Sequence, residues 1–147
     1  MFNSNSLHSP LYVLSRCSNI ESIFSSKYTI GGALKNLNTK YRPLSSIPKL
    51  DLSTEYFINE AAEAPNYGEP GKISDMISPK YCVFTNVGLN HAKTMKSKQR
   101  VYESMCSAER GMPKDGVFIL NADDEFQLPN KLSHKIVTYG KSAKADF

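Results

Sequence analysis

Two apolar runs of this sequence end abruptly in side chains that can bind a metal ion, a phosphate or a nucleobase. The runs are Tyr81–Thr85 and Val117–Leu120, and the groups that follow them are Asn86, Gly88, His91, Asn121, Asp123 and Asp124. Oxygen donors suit hard cations, and imidazole suits transition metals. Because such groups gather where parallel strands end, the layout predicts a nucleotide site at one edge of a parallel sheet.

Four short β-rich runs would carry these groups. They are Tyr56–Ile58, Tyr81–Thr85, Val117–Leu120 and Lys135–Tyr139. Two helical segments lie between the first three runs, one around Ile73–Ile77 and one from Ser97 to Gly111. Ser97 suits the first helix cap and Gly111 the last. The alternation of strand and helix predicts an α/β fold with a parallel sheet, three layers and right-handed crossovers.

A parallel sheet would bring the polar residues at the strand ends to one edge. Glu60 joins this set from the first run, and Gly140 from the last. Any one of these residues alone is more simply a turn or cap residue, because Asn, Asp and Gly favour loop conformations. Their joint occurrence, with a carboxylate and an imidazole able to hold a cation, favours a binding site.

The start of the chain shows no sustained hydrophobic period. We therefore predict a division into residues 1–35, a candidate for disorder, and residues 36–147, the readable domain. Leu11–Leu14 could form a short strand or a turn of helix, and Ala33–Leu37 a short helix.

Composition narrows the class of protein. With 147 residues, 40% of them hydrophobic, the chain can form one domain with its own core. Three cysteines without a C-x-x-C pair indicate a reducing compartment, and Cys82 reads as a core residue. No stretch has the apolar length of a membrane span. The net charge of +4 comes from dispersed residues, so no nucleic-acid partner is expected.

We expect a cytoplasmic protein. The first 30 residues are rich in serine and poor in acidic residues, which leaves an organelle-targeting segment as the alternative.

The ordered set of motifs resembles the central, ATP-binding domain of the Mur ligases, most of all their D-alanyl-D-alanine-adding branch. The motifs that carry the likeness are Glu55–Glu60, Gly71–Pro79, Thr85–His91, Asp115–Asp124 and Val137–Gly140. They run in the family's order over roughly residues 36–147. The resemblance implies an ATP-dependent ligase that joins an acid to an amino acid for the peptide of peptidoglycan, with magnesium at the transferred phosphoryl group.

The resemblance also assigns site residues. Glu60 and His91 would be magnesium ligands, with Glu63 as the alternative to Glu60. Asn86 would lie near the metal and phosphates. Asn121 and Asp124 would lie near the adenosine. The structural alternative is a loop cap for His91, and a turn or helix cap for Asp123 and Asp124.

Three departures from the family pattern change the expected function. No G-x-x-x-x-G-K-[ST] phosphate loop is found, and Gly31–Gly32 has no lysine after it. Met105 stands where most members carry a lysine that becomes a carbamate beside magnesium, and a thioether is no substitute for that oxygen ligand. We also expect the family's two flanking domains to be missing. We therefore expect a truncated, partial P-loop NTPase-like domain without independent activity. The alternatives are a non-catalytic binding module, or a subunit completed by a partner chain or oligomer.

Overall fold

The computed structural model describes residues 9–14, 18–33, 50–60, 66–88, 95–127 and 131–147. Its strands are β1 Ser9–Leu14, β2 Ile30–Ala33, β3 Tyr56–Glu60, β4 Tyr81–Phe84, β5 Val117–Asn121 and β6 Lys135–Tyr139. Its helices are α1 Ser18–Ser25, α2 Glu69–Ile77 and α3 Lys98–Cys106, followed by a 3-10 helix at Ser107–Gly111. None of the helices in these ranges is long and apolar enough to cross a membrane.

The six strands form one sheet in the order β2-β3-β1-β4-β5-β6, and every neighbouring pair is parallel. The predicted α/β class and parallel sheet are confirmed. All strands therefore deliver their carboxyl ends to the same edge. Val13 pairs with Glu60 on one side and with Val83 on the other, so the ends of β3, β1 and β4 are level.

The strand β1 lies inside the sheet, hydrogen-bonded to β3 and β4. Of the two options for Leu11–Leu14, the strand is the one that forms. Residues 1–35 are predicted as a candidate for disorder, but β1, α1 and β2 all lie there. Ala33 is the last residue of β2, so the helix predicted to begin at that residue is wrong at its start, and residues 34–37 lie outside the described residues.

The two faces of the sheet are packed unequally. Alternation along β3 sends Phe57 to the face covered by α2 and α3, and Ile58 to the face covered by α1. The first face holds the larger buried cluster, with Phe84, Tyr102 and Phe118 at its centre. Phe84 meets the rings of the other two edge to face, at centroid distances of 6.2 and 5.4 Å. This core supports the strands whose ends form the site.

The helix α2 packs directly on the 3-10 helix. The Ser74 hydroxyl donates to the Ala108 carbonyl at 2.5 Å. A Cβ on Gly111 would lie 2.1 Å from the Ser74 carbonyl carbon. We predicted Gly111 as a helix C-cap, which is wrong, because Gly111 is the last residue of the 3-10 helix and Met112 caps it. The glycine is needed instead because two backbones touch at this point.

The other predicted elements are confirmed within a few residues. All four β-rich runs are strands, and the segment around Ile73–Ile77 is the end of α2. Ser97 is the N-cap of α3, and its hydroxyl accepts a hydrogen bond from the Arg100 amide at 3.2 Å. Cys82 is fully buried, as predicted, and burial raises the pKa of its thiol.

Candidate functional site

A polar cleft of about 440 Å³ opens at the carboxyl ends of β4 and β5. Its walls are formed by Asn86, Val87, Lys98, Asn121, Asp123, Asp124, Glu125 and Phe126. Three of the five predicted site residues, Asn86, Asn121 and Asp124, therefore lie together here. The parallel strands bring them together, because residues 86 and 121 follow neighbouring strands at the same edge.

Asn121 ties the ends of the two strands to each other. Its amide nitrogen donates to the Thr85 carbonyl at 2.9 Å, and its amide oxygen accepts from the Asp123 backbone at 2.9 Å. The Asn121 backbone N–H donates to the side-chain oxygen of Gln127 at 2.8 Å. Both ends of the Asn121 side chain are thus engaged in holding the turn after β5.

Asp124 shapes the floor of the cleft. One carboxylate oxygen accepts from the Val87 backbone at 2.6 Å and from the Gln127 amide at 3.3 Å. The other accepts from the Phe126 backbone at 3.0 Å. Asp124 therefore behaves as the turn cap that sequence reasoning kept as the alternative, and it also locks the loop after β4 onto the loop after β5.

Asp123 plays the same part toward the end of the chain. Its carboxylate accepts hydrogen bonds from the Lys141 and Ser142 backbones, at 2.7 and 2.9 Å. Nearby, the half-buried Tyr139 hydroxyl donates to the Phe84 carbonyl at 3.2 Å. Burial raises the pKa of Tyr139, and the negative charges of Asp124 and Asp123 raise it further, so this phenol stays protonated at neutral pH.

Two side chains in the cleft wall escaped sequence reasoning. Lys98, the first residue of α3, places its ammonium 4.9 Å from the centre of the Phe126 ring. The two residues are far apart in the sequence, and no motif linked them. The only available signals were the N-cap at Ser97, which fixes where α3 begins, and the aromatic residue closing the acidic turn after β5.

The chain matches the sequence profile of the Mur ligase middle domain over residues 14–147. It belongs to the Mur ligase family. The match begins at the end of β1 and takes in every later element, whereas the motifs noticed in the sequence covered roughly residues 36–147.

Individual Mur ligases resemble this chain in sequence and in fold. The chain is 24% identical over 128 residues to the UDP-N-acetylmuramoyl-tripeptide–D-alanyl-D-alanine ligase of Bacillus subtilis (strain 168). The aligned region covers 87% of this chain and 28% of that ligase. MurF from Acinetobacter baumannii superposes with a TM-score of 0.79 at 21% identity, over 90% of this chain and 31% of that protein.

MurF ligase from Thermotoga maritima, solved in complex with ADP, superposes with a TM-score of 0.73 at 16% identity, over 94% of this chain and 34% of that protein. At these identities the superpositions show a shared fold. The chain thus spans about a third of the length of the Mur ligases it matches.

Of the metal ligands expected from the Mur ligase pattern, Glu60 is not among the residues that line the cleft. Glu60 ends β3 and is half-buried, but β1 separates it from β4, so the two strand axes lie about 10 Å apart. His91 and Glu63, the alternative to Glu60, lie outside the described residues, so the pairing of Glu60 or Glu63 with His91 stays a prediction. Within the described ranges, no group of three or more His, Cys, Asp and Glu could hold a metal ion.

Next to Glu60, the amide of Asn59 is fully buried, and neither its oxygen nor its nitrogen has a hydrogen-bond partner among the described residues. Alternation along β3 turns Asn59 to the opposite face from Glu60, the face of Phe57. Sequence reasoning missed this residue, because a single polar residue in a strand looks like any other strand position.

The family's phosphate loop has no counterpart at the place where the fold calls for one. The central strand β1 and the helix α1 are joined by residues 15–17 alone, which contain neither glycine nor lysine. A strand-to-helix connection at this edge is where parallel sheets bind phosphates. Gly31 and Gly32 lie within β2 and form no loop. Met105 is buried in the main core and offers no ligand.

Proposed function

We propose that this chain is the nucleotide-binding domain of a Mur-type ligase which keeps a cleft for a nucleoside but has no independent ligase activity. The observation that carries the proposal is the cleft itself. It lies beyond the carboxyl ends of β4 and β5, in a protein of this family, and gathers Asn86, Asn121 and Asp124. Parallel α/β sheets bind their ligands at this edge.

The described residues fit a nucleoside better than a triphosphate. The cleft of about 440 Å³ is in the range of small-molecule sites. The connection after β1, by contrast, has no glycine to bring backbone N–H groups close to a phosphate chain; it holds one cation, Arg16, but not the Gly-Lys-[ST] pattern of a phosphate loop. Magnesium, when bound, would offset phosphate charge, and Glu60 and His91 are the residues that the family pattern assigns to it.

Phosphoryl transfer depends on positioning and charge compensation rather than on covalent chemistry by the protein. A chain without the phosphate loop, and with Met105 buried where the family has its lysine, lacks both contributions. We therefore expect nucleotide binding without turnover. In line with the class of ligase, we infer a cytoplasmic location.

The test combines calorimetry with an assay for ADP. We expect the purified chain to bind ADP or ATP weakly, and to form no ADP from ATP when a carboxylate and an amine substrate are supplied. Absence of any nucleotide binding at millimolar concentrations would contradict the cleft assignment. ADP formation above the rate of a heat-denatured sample would contradict the proposed lack of activity.

A subunit completed by a second chain is the other candidate. It is favoured by the place of one departure, because the connection after β1 lacks the phosphate-loop motif while the strands on both sides of β1 are present. In that case a partner would supply the phosphate-binding groups. Light scattering should then find an oligomer, and magnesium-dependent ATP binding should disappear on dilution to the monomer. A monomer at all concentrations would leave only the first proposal or a partner of different sequence.

A further inference from the structure

The side chains that the family pattern assigns to the nucleoside are already engaged inside the protein. Asn121 uses its amide nitrogen for the Thr85 carbonyl and its amide oxygen for the Asp123 backbone. Both oxygens of Asp124 accept backbone N–H groups, from Val87 and Phe126. A ligand that took these groups would leave buried or half-buried backbone donors without partners, which is costly.

The cleft has other groups that face it with unused binding capacity. Phe126 is half-buried and presents a ring face. Lys98 is half-buried, and its ammonium lies over that ring, in an ion pair with none of the carboxylates described in the cleft. Asn86 is exposed and engages one side-chain atom, its oxygen, with the Thr85 hydroxyl at 3.3 Å.

The charge balance of the cleft is less negative than its composition suggests. The Asp123 carboxylate is balanced in part by two backbone N–H groups, and Asp124 likewise. Hydrogen bonds from backbone N–H groups stabilise a carboxylate, and the N–H dipoles offset part of its negative potential. This leaves Lys98 as the cation of the wall, and Glu125 as an exposed anion for which no hydrogen bond is described.

A ring face beside a flexible ammonium fits one class of ligand, a planar heteroaromatic base that carries an anionic group. Stacking on an aromatic side chain requires no particular hydrogen-bond pattern. A lysine on its four-carbon stem can leave the ring face and reach a phosphate without movement of the backbone. The base can then stack on the face of the Phe126 ring that the ammonium has left.

Resting on the proposed function, we infer that Phe126 and Lys98, rather than Asn121 and Asp124, make the direct contacts to the nucleotide. Phe126 stacks on the base, and Lys98 binds the phosphate that the chain has no loop to hold. Asn121 and Asp124 are positioning residues, which fix the turn that carries Phe126. The inference concerns binding and requires no chemical step.

The test measures the affinities of adenosine, AMP and ADP by calorimetry, in one buffer, for the full chain and its variants. In Lys98→Met we expect adenosine to bind as before, and AMP and ADP to lose about tenfold, the value of a hydrogen bond to a charged group. In Phe126→Leu we expect all three ligands to weaken by a similar factor, about fivefold to tenfold for one lost stacking contact.

Matched controls separate these effects from general ones. Lys96→Met removes the same charge two residues earlier, from an exposed side chain outside the cleft wall. Phe24→Leu removes an aromatic ring on the opposite face of the sheet. Both control variants should bind adenosine, AMP and ADP with the affinities of the wild type. Circular dichroism and thermal unfolding verify that each variant is folded.

The outcomes are distinguishable. If the wild type binds nucleotide and neither Lys98→Met nor Phe126→Leu changes the affinity relative to its control, this inference is wrong. The proposed function then still stands. No nucleotide binding by the wild type overturns the proposed function and this inference with it. A loss that is equal for adenosine and ADP in Lys98→Met overturns the assignment of Lys98 to the phosphate.

Discussion

Asn59 shows how much a single residue can reveal about a buried site. It lies in the middle of three level strands, beside Glu60, and both polar atoms of its amide are buried without a hydrogen-bond partner. Folded proteins almost always satisfy such groups, because leaving one unpaired costs about 1–3 kcal/mol. Asn59 therefore weakens the fold unless something outside the described residues pairs with it.

The first prediction follows from this cost. Asn59→Leu replaces the amide by an apolar group of similar size, so we expect the free energy of unfolding to rise by about 1 kcal/mol or more. Urea denaturation followed by circular dichroism measures the change. A decrease in stability would instead mean that a bound water or ligand normally satisfies the amide, and Asn59→Asp would then be the variant to examine for altered binding.

A second residue, Glu109, fastens β6 to the 3-10 helix. One of its carboxylate oxygens accepts from the Ser133 backbone at 2.6 Å, from the Ser133 hydroxyl at 2.8 Å, and from His134 Nδ1 at 2.9 Å. The other ring nitrogen of His134 lies 3.0 Å from the Pro113 carbonyl. Burial would raise the pKa of Glu109, but the hydrogen bonds from His134 and Ser133 outweigh it and hold the pKa below its ordinary value of 4.5.

The sign of the pH dependence follows from that direction. A carboxyl group whose pKa is lower in the folded state stabilises the fold above its unfolded pKa, and this stabilisation is lost as the pH falls through the folded pKa. We therefore expect Glu109→Gln to be less stable than wild type at pH 7, and the two proteins to converge below pH 4.5. Urea unfolding at a series of pH values tests this. A gap that stays constant on acidification would show that the charge of Glu109 is not what matters.

At the scale of elements, the contact between α2 and the 3-10 helix depends on the absence of a side chain at Gly111. A Cβ on Gly111 would lie within 2.3 Å of three backbone atoms of Ser74 and Asp75. Backbone atoms cannot move aside as a flexible side chain can, so the two helices must separate to admit even a methyl group.

The prediction for this contact uses a second glycine as its control. We expect Gly111→Ala to lower the free energy of unfolding by about 3 kcal/mol, the upper end for an overpacked contact. Gly68→Ala should cost only about 1 kcal/mol, because its Cβ meets nothing within 4 Å and the cost is that of a left-handed conformation at φ 75°. Thermal unfolding of both variants measures the difference. Equal losses would show that the helices separate easily.

At the scale of the whole molecule, the described residues bury a larger apolar cluster on one face of the sheet than on the other. On the side of α2 and α3, Phe84, Tyr102 and Phe118 are completely buried. On the side of α1, the buried cluster among the described residues consists of Ile58 and Val83, with Phe24 and Ile119 only partly covered. An apolar cavity of about 260 Å³ remains on this side, lined by Phe24, Tyr28, Tyr56, Tyr81 and Ile119.

This asymmetry predicts unequal costs for the same substitution. We expect Phe118→Ala to lower the free energy of unfolding by about 3–5 kcal/mol, as for a fully buried ring. Phe24→Ala should cost about 1 kcal/mol, because only part of its surface leaves water on folding. Denaturant unfolding of both variants provides the comparison. Costs of similar size would show that the α1 face is covered as well as the other.

The elements that were predictable are those fixed by local chemistry. These elements depend on residues a few positions apart. They are the four β-rich runs, the helical segment around Ile73–Ile77 and the cap at Ser97, and all were predicted correctly. For β1 the sequence left a strand and a turn of helix open, and β2 was not predicted, because each is four to six residues long and has no neighbouring signal. Their strand pairing is decided by β3 and β4, which lie far along the chain.

For the site, the sequence alone determined the family, the parallel arrangement of strands, and the gathering of Asn86, Asn121 and Asp124 at one edge. Only the tertiary structure decided what those groups do. It engaged Asn121 and Asp124 with backbone groups, put Lys98 over Phe126, and left β1 between Glu60 and the cleft. Local propensities depend on near neighbours in the chain, whereas hydrogen-bond partners depend on strand order and register, which bring together residues dozens of positions apart.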